Sequence, residues 1–425
     1  MGDSITHAGA YQYYINLYLL TRHPELAVTP LNCGIGGDTA EGANARYDWD
    51  IAPGHPTVAT VMLGMNDVGR DLYGPAGESQ SERRRANDLR YRSEMEKLVG
   101  RLRADHLRVI LLSPSPYDQT ARNDTVAPQV GVNDALARYG EFCRELAQRR
   151  GCGFVDLNGP MTRMTLEGQR RDPGFSFDPA DRVHPSEVGQ FVMASLFLQQ
   201  IHEDREVSRI EVDAAGGRPG PCSRCRIEDL QASPASAAFR CIEEDLPFPV
   251  PEPVAQAEVL TGFNTALNQE ILRITSLRPG SYQLSIDGKP AGRFEAGELG
   301  RGVNLALLPG TPQLAQAREV AATERLRFDL TCRLRTVALL HQFMLRNALP
   351  YDGSAAAVEG LRAKLEALRV EGWPYIAAFD RYFAEFKVLR SQGDSVGREV
   401  DRLTELERAQ ARPAWHRYQL ERVTP

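Results

Sequence analysis

The sequence lacks any apolar run long enough to cross a bilayer. Its densest apolar stretches, Thr57 to Leu63 and Val109 to Leu112, have the length of single strands. It also lacks an excess of positive charge. Lys and Arg total 50 against 56 Asp and Glu, a net charge of −6. That balance argues against a nucleic-acid partner, which needs a basic surface to displace counterions. Cysteine is scarce: Cys33, Cys143, Cys152, Cys222, Cys225, Cys241 and Cys332 are the seven in 425 residues. This is no disulfide framework for a chain of this length. Cys222 and Cys225 form one C-x-x-C, but the second pair that a structural zinc site wants is missing, and Cys241 offers only a third ligand. The expected state is a local disulfide or free thiols in an Arg/Gly/Pro-rich loop. No signal peptide is visible.

What is present is an ordinary globular composition, 42% apolar and 25% charged, on a chain long enough for two or three domains. The first 200 or so residues alternate short apolar runs with amphipathic stretches. Ala27 to Leu31, Thr57 to Leu63, Arg108 to Ser113 and Phe154 to Leu157 read as strands. Gly9 to Thr21, Ala40 to Trp49, Asp88 to Arg103, Asn133 to Arg149 and Glu187 to His202 read as helices. Such alternation predicts a parallel sheet covered on both faces, with functional residues at the carboxyl ends of the strands. One strand is missing. The chain opens directly on the turn Gly2-Asp3-Ser4, and a turn that starts a helix in such a sheet follows a buried strand. The expectation is a start displaced downstream, with any export signal lost alongside the strand, or another segment in its place.

From about Val207 the pattern changes. Ser208 to Ala214, Glu270 to Thr275 and Ser281 to Ile286 read as strands, and Asp287-Gly288 as the turn of a hairpin. The proline-rich stretch Glu244 to Pro253 reads as a linker or edge loop. After Pro312 the pattern is helical to the end. Leu326, Leu330, Leu334 and Ala338 share one face, and Leu361, Leu365, Leu368, Phe379, Tyr382, Phe383 and Phe386 continue an apolar one. The expected division is 1–205 as an α/β domain, 206–310 as a β-rich accessory segment and 311–425 as a helical C-terminal region. That last region is expected either to pack on the first domain or to form a dimer contact.

Four short blocks stand in order: Gly2-Asp3-Ser4-Ile5-Thr6, Asn32-Cys33-Gly34-Ile35-Gly36-Gly37-Asp38-Thr39, Gly64-Met65-Asn66-Asp67 and Asp181-Arg182-Val183-His184-Pro185. Each alone is weak: Gly393-Asp394-Ser395 repeats the first tripeptide within a polar helical stretch. Their conjunction carries the argument. A serine hydroxyl needs a base to become nucleophilic, and His184 can supply one near neutral pH. Asp181 can take the other imidazole N–H, fix the tautomer and stabilise the imidazolium. An oxyanion then needs fixed donors. The backbone N–H groups of Ser4 and Gly37 and the side-chain amide of Asn66 are the candidates. Asp38 and Asp67 are expected to support these loops through hydrogen bonds to backbone N–H groups, and Asp3 is a further supporting residue. His7 lies three residues after Ser4, on a turn that directs it away from the hydroxyl. Asp178 is an alternative orienting acid, with spacing in favour of Asp181. Met65 is a candidate pocket residue, and Cys33 is expected to pack rather than react.

These blocks resemble the SGNH, or GDSL, hydrolase family of esterases and lipases, whose four signature residues match Ser4, Gly37, Asn66 and His184. The resemblance covers roughly Gly2 to His202. It implies a flavodoxin-like three-layer α/β/α fold with roughly five parallel strands, here without its first strand, and a Ser4-His184-Asp181 triad. It implies a carboxylic ester hydrolase working through an acyl-serine, with no metal or organic cofactor. The expected substrate is a small-molecule or saccharide ester, with short acyl groups such as those of O-acetylated carbohydrates favoured. A lysophospholipase- or lipase-like acylhydrolase is the runner-up. An acyltransferase uses the same acyl-enzyme, and a non-catalytic binding protein is the contrasting class, since fold alone does not fix function.

Overall fold

The structure is a computed structural model and describes residues 1–74, 80–201, 204 and 206–423. The chain forms two compact units. The first comprises Met1–Gln12, Pro30–Met193 and Arg327–Arg402; the second comprises Tyr13–Thr29, Ala194–Leu326 and Leu403–Pro425.

In chain order the first elements are α1 (Ser4–Ala8), α2 (Ala10–Arg22), α3 (Ala40–Ala45), β1 (Val58–Val61), α4 (Ser81–Ala104), β2 (Arg108–Leu112), α5 (Val132–Arg150), β3 (Gly153–Val155), α6 (Asn158–Gln169) and α7 (Glu187–Gln200). The expected helix end at His202 lies outside the described residues. Strands β1, β2 and β3 pair in that order, all parallel, with Val58 opposite Arg108 and Ile110 opposite Gly153. Helix α4 buries Tyr91, Met95, Leu98, Val99 and Leu102, and α5 buries Leu136, Tyr139, Phe142, Cys143 and Leu146. These are the apolar stripes of two amphipathic helices, and both helices pack on β2. Tyr91 stacks on Tyr139 with ring centroids 4.0 Å apart, and its hydroxyl donates to the Leu63 carbonyl at 3.1 Å. That bond fixes the exit of β1, where the block containing Asn66 begins.

The place beside β1 is taken by Met1 and Gly2. The Met62 N–H donates to the Met1 carbonyl at 3.1 Å and the Ile35 N–H to the Gly2 carbonyl at 3.1 Å, so Gly2 makes single parallel bridges to Met62 and Gly34. Gly2 is required by space, because a Cβ there would stand 2.1 Å from Thr6 Oγ1 and 2.7 Å from the Met62 carbonyl oxygen. The strand expected at Ala27 to Leu31 is absent. Pro30 has no N–H to give a ladder, Leu31 is 48% exposed, and only Gly34 pairs with the sheet.

The second unit holds β4 (Glu206–Asp213), β5 (Arg218–Pro219), β6 (Cys225–Ser233), β7 (Ser236–Glu243), α8 (Ala255–Thr261), α9 (Phe263–Leu267), β8 (Gln269–Thr275), β9 (Ser281–Ile286), β10 (Lys289–Glu295), α10 (Ala296–Arg301) and β11 (Val303–Asn304). Then come α11 (Pro312–Arg346), α12 (Ala355–Val370), α13 (Ile376–Gln410) and β12 (His416–Arg422). The order β10-β9-β12-β7-β6 makes one sheet and β11-β8-β4-β5 another. Asp287 and Gly288 both have positive φ, 51° and 75°, as the tight turn between β9 and β10 demands. The helical pattern does not run to the end: β12 sits between β7 and β9. His416, Tyr418 and Leu420 alternate inward with period two, a signal only seven residues long. Cys225 opens β6 rather than lying in a loop, and all seven cysteines are free. No helix among the described residues is long and apolar enough to cross a membrane.

This unit buries two glutamates. Glu243 accepts from the Tyr418 hydroxyl at 2.6 Å and from Gln313 Nε2 at 3.0 Å. Its other oxygen and both oxygens of fully buried Glu270 have no hydrogen-bond partner among the described residues. Burial, and then the neighbouring Glu243, push Glu270 well above the ordinary glutamate value of 4.5. A carboxyl raised in the folded state favours folding fully below its unfolded value, and that contribution is lost as pH rises through the folded value. Glu270→Gln is therefore expected to raise the thermal midpoint at pH 8 relative to pH 5 when each is compared with the parent protein. Parallel melting curves for the two proteins would contradict a buried, protonated Glu270.

Candidate active site

The four blocks all lie within the first compact unit; the first and fourth meet at Ser4, and Gly2 bridges the first to Gly34 of the second and to Met62 ahead of the third. Asp3 caps the five-residue helix α1: its Oδ1 accepts from the Ile5 N–H at 3.0 Å. The Ser4 N–H, in the first turn of that helix, has no intrahelical acceptor. The Ser4 hydroxyl is 2.7 Å from His184 Nε2. His184 Nδ1 is 2.5 Å from Asp181 Oδ2, and Asp181 Oδ1 accepts from the N–H groups of Val183 at 3.0 Å and His184 at 2.9 Å. Burial alone would raise the Asp181 carboxyl. The His184 ring and these backbone donors outweigh it and hold Asp181 down at about 2. The side chains of His184 and Asp181 are each 45% exposed, so the site opens to solvent.

The spacing of Asp181 and His184 depends on the residue between them. Arg182 has φ of 69°, a conformation costly for a residue with a side chain. Its guanidinium is buried and donates to the carbonyls of Val126 (2.7 Å), Asp118 (3.0 Å) and Ala121 (3.0 Å), while the Asp118 N–H returns a bond to the Arg182 carbonyl at 2.9 Å. The strained turn is thereby tied to the loop 118–126. Asp178 lies close by with its carboxyl buried. Burial and the charges of Asp118 and Asp181 push it well above its ordinary value, and it is Asp181 that takes the imidazole.

The second and third blocks are fastened to each other. Asn66 Nδ2 donates to the Asp38 carbonyl at 2.9 Å, and Arg70 Nη1 reaches Asn66 Oδ1 at 3.4 Å and the Met65 carbonyl at 2.6 Å. These contacts fix which way the amide faces. Asp67 Oδ1 accepts from the Ala40 N–H at 2.9 Å, at the start of α3. Gly37 has φ of +73° and no atom within 4 Å of where a Cβ would stand, so its glycine serves conformation rather than space. Burial raises Asp67 to about 7, with Asp3 and Asp38 adding to the effect against the Ala40 N–H, and raises Asp3 to about 6. A polar cavity of about 190 Å³ is lined by Thr39, Glu41, Asn66, Asp67, Asn87, Arg90 and Tyr91.

His7 is not at the Ser4 hydroxyl. Its Nδ1 bonds the Gly34 carbonyl at 3.1 Å, and its ring meets the edge of Tyr382. Met65 is fully buried. The Cys33 carbonyl accepts from Arg46 at 2.8 Å. The arginines around these blocks carry no motif in the sequence. Arg70 lies four residues after Asn66, a spacing that could have exposed it. Arg46, Arg335 and Arg346 bond the second block at Cys33, Gly34 and Asp38, and nothing local in the sequence marks them.

A family model for the GDSL-like lipase/acylhydrolase family matches residues 1–190. The acetylxylan esterase of Geobacillus stearothermophilus is 26% identical over 220 residues, which cover 47% of this chain and 91% of that esterase. An uncharacterized lipoprotein of Bacillus subtilis (strain 168), YqeF, is 22% identical over 174 residues, 36% of this chain and 68% of its own. Among solved structures, BT4096, described as a gut microbial diltiazem-metabolizing enzyme, aligns over 100% of this chain and 96% of its own at 30% identity, with a TM-score of 0.89.

Asp181→Asn offers an amide donor where the imidazole N–H needs an acceptor, favouring the wrong tautomer. Ester turnover is expected to fall by up to about 10⁴ in kcat, with an unchanged circular dichroism spectrum. Turnover at the parental rate would remove Asp181 from that role.

Proposed function

The chain belongs to the GDSL-like lipase/acylhydrolase family, and on that basis we propose that it is an esterase in which Ser4 is the nucleophile, His184 the general base and Asp181 the residue that orients and charges the imidazole. One observation carries the reading: hydroxyl, imidazole and carboxylate stand in a continuous hydrogen-bonded line, 2.7 Å and then 2.5 Å long.

In this scheme His184 Nε2 takes the Ser4 proton as Oγ attacks the ester carbonyl. The carbonyl oxygen becomes an oxyanion, and the Ser4 N–H, the Gly37 N–H and Asn66 Nδ2 are its proposed donors. Collapse of the intermediate releases the alcohol, which takes the proton from His184. Water activated by the same histidine then cleaves the acyl-serine. No step calls on a metal or an organic cofactor. The positions of Gly34, Gly2, β1, β2 and β3 fit the flavodoxin-like strand order, whose ligands lie at the carboxyl ends of the strands.

The substrate we propose is a short-chain ester, an O-acetylated carbohydrate in the first instance. Its support is the acetylxylan esterase relative, nine-tenths of whose length this chain covers. A second reading follows the diltiazem-metabolizing relative, because that likeness extends over the whole chain and includes both compact units. The two readings differ in the substrate offered to Ser4.

The test is turnover of p-nitrophenyl esters from acetate to palmitate, with acetylated xylo-oligosaccharide and diltiazem as separate substrates, by the parent protein and Ser4→Ala. Serine-dependent activity that falls with acyl length supports the short-acyl reading; a preference for palmitate moves the protein to the lipase-like alternative. Activity that survives in Ser4→Ala contradicts the nucleophile.

A further inference from the structure

We infer that α11 completes the esterase centre: Arg346 is a positioning residue that holds the Asp38 loop, and through it the Asn66 amide and the Gly37 N–H, in place around Ser4. The inference rests on the reading of Asn66 as an oxyanion donor. Every residue in it belongs to the first compact unit.

The Asp38 carboxylate is fully buried and clamped from two sides. Arg46 Nε binds Oδ2 at 2.7 Å and Arg346 Nη2 binds Oδ1 at 2.8 Å. The backbone carbonyl of the same residue receives the Asn66 amide at 2.9 Å, and Gly37 is its chain neighbour. Any rotation of Asp38 therefore displaces two proposed donors together. Arg46 continues the network, pairing with Asp50 and donating to the Cys33 carbonyl at 2.8 Å. Arg335, earlier on α11, pairs with Asp50 through both terminal nitrogens and donates from Nε to the Gly34 carbonyl at 2.8 Å. Three arginines and two aspartates thus link α11 to the loop before α3.

Gly42 supplies independent support. A Cβ there would stand 2.0 Å from Asp38 Oδ1 and 2.7 Å from Arg346 Nη2. The backbone of α3 is shaped around this ion pair, and glycine is the residue that leaves it room.

Arg346 is also the member that can be changed safely. Its side chain is 41% exposed, whereas Arg46 and Arg335 are 0% and 8% exposed. Losing Arg46 would withdraw a partner from buried Asp38 and buried Asp50 at once, and losing Arg335 one from Asp50, so either change threatens folding. Losing Arg346 leaves Asp38 paired with Arg46 but free to pivot on one bond. Support of this kind acts on a donor realised in the transition state, so it belongs in kcat rather than KM.

The experiment measures kcat and KM on p-nitrophenyl acetate for the full chain carrying Arg346→Gln, Arg346→Lys, Asn66→Ala, and Arg346→Gln with Asn66→Ala. Thermal midpoints are recorded for each. Arg346→Gln is expected to lower kcat about tenfold at unchanged KM, less than the roughly 10²–10³ that loss of a donor itself costs. Lysine should restore most of that loss, and the double variant should be no slower than Asn66→Ala alone. Parental kcat in Arg346→Gln, or losses that multiply in the double variant, would overturn the inference while leaving the oxyanion reading intact. Parental kcat in Asn66→Ala would overturn the oxyanion reading and the inference with it.

Discussion

The structure around Ser4 depends on one buried carboxylate. Asp38 has no exposure to water and its charge is met by Arg46 and Arg346. Breaking a buried pair of this kind by removing one partner typically costs about 3–5 kcal/mol, because the remaining charge is stranded. Removing Arg46 withdraws a partner from Asp38 and from Asp50 together, and the geometry of the network is inherited by everything bonded to it. The Asp38 carbonyl receives the Asn66 amide, the Cys33 carbonyl receives Arg46, and the Gly34 carbonyl receives both Arg335 and the His7 ring. His7, half-buried, is pushed below its ordinary value by burial, with the Arg335 and Arg46 charges acting the same way. A neutral ring held by a backbone carbonyl is a structural part of the loop.

The other half of the site has a different foundation. The Asp181-to-His184 turn carries Arg182 at positive φ and is held by carbonyls of the loop 118–126. Ser4 and His184, the proposed nucleophile and base, thus arrive from separate anchors, the first on the Gly2 bridges beside β1 and the second on Arg182. The bond from Ser4 to His184 is where the two anchors meet. Small errors in either would open it, which is why a solvent-exposed pair is backed by such densely bonded residues.

Much of this was legible in the chain. The four blocks are contiguous, and each holds its chemistry within eight residues, so Ser4, Gly37, Asn66, Asp181 and His184 stand out by type and order. The strands β1, β2 and β3 were legible because β-rich apolar runs end in turns. Helix α4 was legible from its stripe, although it starts seven residues before the expected Asp88. Long-range electrostatics were not legible. Arg335 pairs with Asp50 across 285 positions and Arg346 bonds Asp38 across 308, and an arginine on a helix reads as solvated surface until its partner is placed. The strand β12 was hidden for a related reason: its seven residues follow the 35-residue helix α13, and its place between β7 and β9 is set by tertiary pairing. Gly393-Asp394-Ser395 shows the converse. It repeats the first motif but lies within α13, where Ser395 Oγ donates to the Gln392 carbonyl at 2.8 Å. The tripeptide acquires chemistry only when a sheet edge and a histidine are built beside it.

The central claim is that Ser4 is the activated serine of this chain. The most direct measurement is labelling with a fluorophosphonate ester, followed by intact mass and tryptic peptide analysis. Serine hydrolase chemistry predicts one phosphonyl group per chain, carried on the peptide Met1–Arg22, in which Ser4 is the sole serine. The label should be lost in His184→Ala, which leaves the hydroxyl without its base. A folded protein that takes no label, or takes it on another serine such as Ser395, would contradict the account.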